Sequence, residues 1–240
     1  MKQIDLVIFD MAGTTVIDNN EVENCFWAAA EQTGLITTRE RIISMMGWSK
    51  RLVFETLWKE QLNEKLNDEL EKKIDLSYET FKEILENHYL NSDVQPTQGC
   101  LEIFSYLKKS NIKIGLTTGF YRKVTNIILK KLDWSDAVWR NSSALNIDSV
   151  VTSDEVSFGR PFPYMVFKTM ELTGTSDVRK VIKIGDTPSD LGEGKNAGCK
   201  FSFGVTNGTH THQQLSNYEN DGLFTDLNEF NKWLSPVLIC

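Results

Sequence analysis

Apolar and polar residues follow two different patterns along this chain. From about residue 96 onward, short apolar runs alternate with stretches in which apolar residues recur every three or four positions. The runs predict buried strands, and the stretches predict amphipathic helices. The predicted helices cover residues 99–109, 121–132, 161–173 and 188–197, and the predicted strands cover residues 112–118, 148–153, 181–186 and 201–205.

A further apolar run lies near the N-terminus, where residues 6–9 are followed by Asp10. Together with the alternation of strands and helices, this run predicts an α/β fold, in which a doubly wound parallel sheet is covered by helices on both faces. Ligands of such sheets bind beyond the carboxyl ends of the strands. We therefore expect Asp10 to point into a ligand crevice.

The segment between residues 17 and 93 shows only helical periodicity. Turn-rich sequences border it at both ends, as expected for two linkers. The predicted division is a helical cap at residues 17–96 that is inserted into an α/β core of residues 1–16 and 97–240.

Composition and charge narrow the class of protein. The chain has 240 residues, of which 40% are hydrophobic and 25% are charged, as in folded globular proteins. Its formal net charge of −7 argues against an extended surface for nucleic acid or anionic membranes. No apolar run approaches the roughly 20 residues of a membrane span, and the N-terminus has no basic segment followed by an apolar stretch. We therefore expect a cytoplasmic protein.

The cysteines are far apart and form no CxxC pair, so the sequence indicates neither a zinc site nor a disulfide framework. We expect reduced and mostly buried thiols. The four residues are Cys25, Cys100, Cys199 and Cys240.

Polar residues also stand at the ends of the later predicted strands. Each of them alone is common in turns and helix caps. Their repetition at one edge of a parallel sheet indicates a shared site. The candidates are Thr117, Thr118 and Gly119 after the first of these strands, Arg160 in the loop after the second, and Asp186 and Asp190 after the third.

The carboxylates of this set suit a divalent metal. Asp10 and Asp186 supply the hard oxygen ligands that Mg²⁺ prefers, and Asp190 is placed to hold metal-bound water or the turn. A carboxylate beside Mg²⁺ can also attack phosphorus, which splits a hydrolysis into formation and breakdown of an aspartyl-phosphate. We expect Asp10 to be this nucleophile.

Negative charge that builds on a transferred phosphoryl group needs several donors. We expect Arg160, the Thr118 hydroxyl and turn amides near Gly13 and Gly119 to supply them, together with the metal. An anionic substrate would be bound locally at these donors, because the protein as a whole is acidic.

The ordered motifs FDMAGTTV, GLTTG, GRP and GDTPSD resemble those of the haloacid dehalogenase superfamily across nearly the whole chain. The resemblance implies a Rossmann-like doubly wound core with a cap inserted after the first motif. It also implies a hydrolase in which Asp10, the Ala12 carbonyl and Asp186 hold Mg²⁺. Asp10 would be the nucleophile, and Asp190 would support the site without binding the metal directly.

Ala12 departs from the pattern of most phosphatases in that superfamily, which carry a second aspartate two residues after the nucleophile. That aspartate protonates the departing alkoxide, and its loss forfeits an acid–base contribution of roughly 100-fold or more. A sugar-phosphate mutase, which needs the acid twice, is therefore disfavoured. The sequence favours leaving groups that need no proton.

One branch of the superfamily, the phosphonoacetaldehyde hydrolases or phosphonatases, tolerates this loss. The chain resembles it in the DMAGT motif, in Arg160 where a lysine is usual, and in the segment MGWSK that ends at Lys50. The resemblance implies that Lys50 forms an iminium with a substrate aldehyde, whereas a lysine followed by Arg51 at a helix start is otherwise a solvated surface pair. We expect Met46 and Trp48 to line the substrate pocket. Burial against them, or a neighbouring cation, would have to lower the pKa of Lys50, since only a neutral amine attacks.

Two positions depart from the phosphonatase pattern. Val53 replaces an expected cap histidine, and Phe120 replaces an expected tyrosine after Thr-Thr-Gly, so the proton transfers of imine formation lack a donor. Three functions stay open. The favoured one is hydrolysis of a small 2-oxo-phosphonate such as phosphonoacetaldehyde, and the others are hydrolysis of a small phosphate ester, as in phosphoglycolate phosphatases, and non-catalytic phosphate sensing.

The histidines do not replace the missing donors. His210 and His212 follow a late predicted strand and are expected in a surface loop or at a helix start. His88 is expected near the end of a cap helix.

The predicted insertion has consequences for the whole molecule. The cap is expected to close over the strand ends and to bend at linkers near residues 16–20 and 91–98. Phosphonatases often pair through their caps, so the resemblance also implies a homodimer.

Overall fold

The computed structural model describes residues 4–63, 66–135 and 145–239, and Cys240 lies outside these ranges. A helical stretch follows the first strand, and strands and helices alternate along most of the remaining chain. In chain order the elements are β1 (Leu6–Asp10), α1 (Glu21–Thr33), α2 (Arg39–Ile43), α3 (Lys50–Leu62), α4 (Asp68–Asn91), α5 (Cys100–Lys109), β2 (Lys113–Thr118), α6 (Arg122–Lys131), β3 (Trp134–Ser135), β4 (Leu145–Asn146), β5 (Ser149–Thr152), α7 (Tyr164–Thr173), β6 (Val181–Gly185), α8 (Pro188–Ala197), β7 (Phe201–Val205), α9 (His212–Leu215), β8 (Leu223–Phe224) and α10 (Leu227–Ile239).

Within the described residues, six strands form one parallel sheet in the order β5-β2-β1-β6-β7-β8. β1 is central, because β2 pairs with it on one side and β6 on the other. The strand order reverses at β1, so the ligand-binding edge of this doubly wound sheet is expected at its carboxyl end. The predicted fold class is confirmed, and Asp10 lies at this edge.

The side chains of β1 alternate between two helical layers. Leu6 and Ile8 belong to a cluster that includes residues of α7 and α8. Phe9 faces the opposite layer, where its ring centroid lies 5.3 Å from Phe104 of α5 and 6.3 Å from Phe230 of α10. All of β1 is buried, as a strand covered on both faces requires.

The helices that follow β1 pack on one another through aromatic side chains. The Phe26 ring of α1 lies 4.2 Å from Phe81 of α4 and 5.2 Å from Phe54 of α3, measured between centroids. Within the described part of residues 17–96, every regular element is a helix, as the periodicity predicts. The division into cap and core at these bounds stays a prediction.

The two connections between these helices and the sheet lie side by side. Val16 forms a β-bridge with Pro96, and the Ile17 amide donates to the Gln95 carbonyl at 3.0 Å. The chain therefore leaves the sheet and returns to it through one narrow double crossing.

The predicted helix at 161–173 starts later than the pattern suggested. α7 begins at Tyr164, because residues 159–162 form a turn in which the Phe162 amide donates to the Gly159 carbonyl at 3.1 Å. Pro163 lacks an amide hydrogen and is suited to the position before the first helical residue. The turn leaves Arg160 outside the helix, with its side chain buried.

Cys25 and Cys100 are buried free thiols, and Cys199 is a half-buried one. These three agree with the expected reduced cysteines. Among the helices in the described ranges, none combines the length and the apolar character needed to cross a bilayer.

Candidate active site

The predicted carboxylates converge at the end of β1. Asp10 is the last residue of β1 and is 5% exposed, while Asp186 follows the neighbouring strand β6 and is fully buried. Asp190 comes from the first turn of α8. One carboxylate oxygen of each aspartate lies within 4.8 Å of the others. They form an acidic cluster that could hold a metal ion.

Asp186 is held in a tight cradle. The Thr14 hydroxyl donates to its Oδ1 at 3.1 Å, and the Thr209 amide donates to its Oδ2 at 2.7 Å. Gly13 and Gly208 lie so close that a Cβ at either position would stand 2.3 Å from Oδ2. The loop around Gly208 was not predicted as part of the site, but it fixes one side of this carboxylate.

The two predicted phosphate-binding glycines differ in what they offer. The Gly13 amide donates to the Val16 carbonyl at 2.8 Å, so it is already used within the turn after β1. Gly119 and Thr118 both line a small cavity beside Asp10. Thr118 Oγ1 accepts from the Phe120 amide at 3.1 Å, which leaves the hydroxyl hydrogen for an anion. Gly13 therefore makes room for the cluster rather than donating its amide.

Both oxygens of Asp190 are engaged by protein donors. Oδ2 accepts from the Thr187 hydroxyl at 2.6 Å and from the Thr187 amide at 3.2 Å, which caps α8. Oδ1 accepts from Lys183 Nζ at 2.6 Å and lies 3.0 Å from Arg160 Nη1. Burial opposes ionisation, but Arg160 and Lys183 lower the pKa of Asp190. Asp190 thus organises the turn as an ionised group.

The Arg160 side chain is buried, and each of its three guanidinium nitrogens donates a hydrogen bond. Nη1 donates to Asp10 Oδ1 at 2.6 Å, and Nη2 donates to the Thr117 carbonyl at 2.6 Å and to the Thr117 hydroxyl at 2.9 Å. Nε donates to Glu193 Oε2 at 3.1 Å. A lysine ammonium cannot form this planar fork. Arg160 is therefore a fixed positive charge beside Asp10.

Lys183 and Glu193 complete this buried network, and neither was predicted from the sequence as part of the site. Each side chain is fully buried, and Lys183 Nζ lies 3.5 Å from Glu193 Oε2, which also accepts from the Thr117 hydroxyl at 3.3 Å. Two signals could have found them. Lys183 interrupts the apolar strand VIKIGD, and Glu193 follows Asp190 by three residues, which puts both on one face of α8.

The buried charges around Asp10 do not balance. Among the described residues of this network, four carboxyl groups face two cations, so full ionisation would leave two negative charges uncompensated before Lys50 is counted. Burial, followed by the charges of Asp10 and Asp190, raises the pKa of Asp186 to about 8, and burial also raises the pKa of Asp10. Charge and hard oxygen chemistry both fit a divalent cation here.

Lys50 is buried and lines the same cavity as Asp10. It is the first residue of α3 and is 5% exposed, whereas Arg51 forms ion pairs at the surface. Its Nζ lies 5.1 Å from the ring centroid of Phe120 and 5.5 Å from that of Phe26. Burial lowers the pKa of Lys50 to about 8, although nearby carboxylates such as Asp10 oppose the change. A neutral amine is therefore accessible near physiological pH.

One small cavity joins the strand ends to the helices. Its volume is about 20 Å³, roughly the space of a single water molecule. Trp48 was predicted to line this cavity, but it is not among the described residues that do so. Its backbone carbonyl packs against Gly119 instead. The residues that matter for chemistry are Asp10, Ala12, Thr118 and Arg160 from the sheet side, and Asp18, Met46 and Lys50 from the helical side.

The expected surface position of His210 is wrong. It is 6% exposed, because its loop folds inward onto Asp186, and burial lowers its pKa. His212 is exposed at the start of α9, and His88 lies near the end of α4, as expected. Among the described residues that line the pocket there is no histidine.

A family model described as haloacid dehalogenase-like hydrolase matches residues 7–203. The chain belongs to this family. It is therefore a hydrolase, as its motifs implied. The candidate active site of this hydrolase is the acidic cluster around Asp10. It lies at the carboxyl end of β1, where the strand order of the sheet reverses.

Similar proteins add detail to the family assignment. A phosphonoacetaldehyde hydrolase from Bacillus cereus is 33% identical over 229 residues, covering 90% of this chain and 81% of the relative. One from Parabacteroides distasonis is 30% identical over 227 residues, covering 88% and 79%.

Solved structures agree with the fold. A phosphonoacetaldehyde hydrolase-like protein from Oleispira antarctica superposes with a TM-score of 0.78 at 20% identity, covering 98% of this chain and 93% of that one. A hydrolase from Pseudomonas syringae gives a TM-score of 0.78 at 19% identity, covering 98% and 99%. At these identities the similarity establishes the fold alone.

Proposed function

We propose that this hydrolase cleaves the carbon–phosphorus bond of a small 2-oxo-phosphonate such as phosphonoacetaldehyde, in a Mg²⁺-dependent reaction. The observation that carries the proposal is that Asp10 and Lys50 line one small cavity, in which a carboxylate is available as nucleophile and an amine has a lowered pKa. Relatives named phosphonoacetaldehyde hydrolase, at 30% and 33% identity, support the same substrate class.

Asp10, the Ala12 carbonyl and Asp186 would hold the Mg²⁺ ion. The hard oxygen donors and the excess of carboxyl groups over cations support this assignment. When bound, the ion polarises the phosphoryl oxygens and offsets their charge. Asp190 would keep the cluster in place, since its oxygens are already engaged by protein donors.

Lys50 would prepare the substrate for cleavage. Its neutral amine adds to the aldehyde carbon, and loss of water gives an iminium. The iminium nitrogen then accepts the electron pair of the breaking carbon–phosphorus bond, so the organic fragment departs as an enamine. No alkoxide forms, which explains how Ala12 can stand where related phosphatases carry an acid.

Asp10 would receive the phosphoryl group. Its carboxylate oxygen bonds to phosphorus as the carbon–phosphorus bond breaks, and water then hydrolyses the aspartyl-phosphate. Arg160, whose Nη1 lies 2.6 Å from Asp10 Oδ1, would stabilise the phosphoryl oxygens together with Thr118 and Gly119. Protonation of the enamine carbon and hydrolysis of the iminium return Lys50 and release the aldehyde.

Substrate turnover combined with covalent trapping tests the proposal. With phosphonoacetaldehyde and Mg²⁺ we expect phosphate release, and borohydride should reduce the iminium to a stable adduct on Lys50 that mass spectrometry locates. Lys50→Arg should lose about 100-fold or more in kcat/KM, because a guanidinium stays protonated and cannot attack. Lys59→Arg, on the exposed side of the same helix, is the matched control and should behave like the wild type. Full activity of Lys50→Arg, or turnover without an adduct, would refute the proposal.

Hydrolysis of a small phosphate ester is the second candidate. It is favoured by Val53 and Phe120, which lack the polar groups of the phosphonatase pattern. In this reaction the charged form of Lys50 would protonate the alkoxide that Ala12 cannot. A panel of small esters that includes phosphoglycolate identifies this activity, if turnover occurs and borohydride traps nothing. Phosphate sensing without catalysis does not fit a chain of a hydrolase family.

A further inference from the structure

A pair of carboxyl groups connects the cavity to the protein surface. Asp18 lines the cavity from the turn before α1, and its Oδ1 accepts from the Glu21 amide at 2.7 Å and from the Val22 amide at 3.3 Å. The carboxyl groups of Asp18 and Glu21 lie close enough to influence each other's ionisation, and Glu21 is partly exposed. Two neighbouring carboxyl groups repel each other when both are ionised, which favours a proton on one of them.

The proton of this pair belongs mainly to Asp18. Burial, followed by the neighbouring carboxyl group of Glu21, raises the pKa of Asp18 to about 7. Partial burial of Glu21 works against ionisation, but the neighbouring Asp18 lowers its pKa. Asp18, on the cavity side, is therefore the group that holds the proton. Glu21 is ionised and can exchange protons with solvent, because it is partly exposed.

Imine formation at Lys50 requires a group of this kind. The carbinolamine hydroxyl leaves as water only after it is protonated, and the return reaction needs a base for the attacking water. Val53 and Phe120 are buried and apolar, so the positions at which related enzymes are expected to carry donors offer none. Among the described residues that line the cavity, Asp10 and Asp18 carry the carboxyl groups. Asp10 already accepts a hydrogen bond from Arg160, so Asp18 is the better placed proton donor.

We propose that Asp18 is the general acid and base of imine formation at Lys50, with Glu21 as its link to solvent. The inference rests on the proposed function. Asp18 gives its proton to the carbinolamine hydroxyl, the carbon–oxygen bond breaks, water leaves, and the nitrogen of Lys50 becomes an iminium. In the return step the Asp18 carboxylate takes a proton from the water that adds to the iminium carbon, which restores the carboxylic acid.

Asp18→Asn separates this role from the capping of α1. An asparagine oxygen can accept the same two amide hydrogens, so the helix start is kept, but the amide cannot deliver a proton. The thermal unfolding of Asp18→Asn is therefore expected to match that of the wild type. The loss of the proton should appear in the imine step alone.

Borohydride trapping with acetaldehyde isolates the imine step, because this aldehyde has no phosphorus to transfer. We expect Asp18→Asn to form the Lys50 adduct about 100-fold more slowly than the wild type. Glu31→Gln, an exposed carboxylate on the same helix, should trap at the wild-type rate. Equal rates for Asp18→Asn and the wild type overturn the role of Asp18, whereas absence of an adduct in the wild type overturns the proposed function itself.

The pH dependence of the trapping rate is an independent test of the role of Asp18. Charged or titratable groups near Asp18 are Glu21 and Cys25 of α1, Lys50 of α3 and Tyr89 of α4. The step needs Asp18 protonated and Lys50 neutral, so its rate should rise with pH to about 7, stay level to about 8, and then fall. Glu21→Gln removes a negative charge and lowers the pKa of Asp18, so the lower break should move to lower pH. An unchanged lower break overturns the assignment.

Discussion

At the scale of single residues, we expect Asp186 to couple metal binding to the release of a proton. Thr14 and Thr209 fix its two oxygens, and Gly13 and Gly208 leave no space for another position of the carboxylate. Burial and the neighbouring carboxylates raise its pKa to about 8, so without a metal it is largely protonated near neutral pH. A carboxylate must be ionised to bind a metal, so the ion has to displace this proton.

We expect Mg²⁺ to stabilise the protein more at about pH 8 than at about pH 6. In the metal-free protein, folded Asp186 keeps a proton that the unfolded chain loses above about pH 4, so stability falls as pH rises towards 8. At about pH 8 only about half of Asp186 is protonated, so Mg²⁺ has less proton to displace than at about pH 6. At about 100 times its dissociation constant, Mg²⁺ adds about 2.7 kcal/mol. Thermal unfolding with and without Mg²⁺ measures the difference. Asp186→Asn should abolish it, and equal stabilisation at both pH values would contradict the coupling.

At the scale of elements, β6 and α8 together carry the buried ionic network. Lys183 in the middle of β6 faces Asp190 and Glu193 on α8, and all three side chains are fully buried. Buried charges cost several kcal/mol each unless they are paired. The helix can therefore lie on the strand only in the register that brings these groups together, which is also the register that fixes Arg160 beside Asp10.

Removal of the strand lysine should reveal this dependence. Lys183→Met leaves Asp190 and Glu193 without one of their cations, and we expect the free energy of unfolding to fall by about 3–5 kcal/mol. Lys113→Met, at the exposed start of β2, is the matched control and should change it by less than about 0.5 kcal/mol. Urea denaturation of both variants provides the comparison. A small loss in Lys183→Met would show that the network is not needed for folding.

Elements long enough to display a period were predictable from the sequence. The predicted helix 188–197 and the predicted strand 201–205 coincide with α8 and β7. β8 has only two residues and α9 four, which is too short for a periodic signal. α10 was not predicted, although its buried residues Leu227, Phe230 and Leu234 follow helical spacing. The start of α7 was set by the turn that carries Arg160, which depends on tertiary contacts.

The site was predictable only in part, for a related reason. Parallel strands bring their ends to one edge, so Asp10, Thr118 and Asp186 could be placed together from strand order alone. The function of a buried charge depends on partners that are distant in sequence. Lys183 and Asp18 lack any local motif, and their environments become defined only when the chain is folded.

At the scale of the whole molecule, the cavity between helices and sheet is too small for a substrate. Its volume of about 20 Å³ is little more than the roughly 10–15 Å³ that a cavity needs to hold one water molecule. We therefore expect the helical segment to swing away from the strand ends before a substrate enters. We expect the motion at the predicted linkers, near residues 16–20 and 91–98. Pairing of two copies through the caps stays a prediction.

Gly119→Ala should hold the molecule open. A Cβ at this position would lie 2.7 Å from the Trp48 carbonyl oxygen and 2.8 Å from that of Gly47, so the clash is relieved when the helices move away. We expect kcat to fall about 10-fold or more, and small-angle scattering should report a larger radius of gyration. Gly159→Ala, whose Cβ would make an ordinary 3.5 Å contact with Ser49, should close and turn over normally. A compact Gly119→Ala protein with full activity would contradict the proposed motion.

The double crossing at Val16 and Pro96 separates the geometry of the sheet from the length of the inserted segment. Because the chain leaves the sheet and returns at one point, the spacing between β1 and α5 does not depend on how many residues lie between the two crossings. A different insertion could be joined there without disturbing the strand tips. The carboxyl groups at the strand ends would thus keep their positions if the part that covers them were replaced.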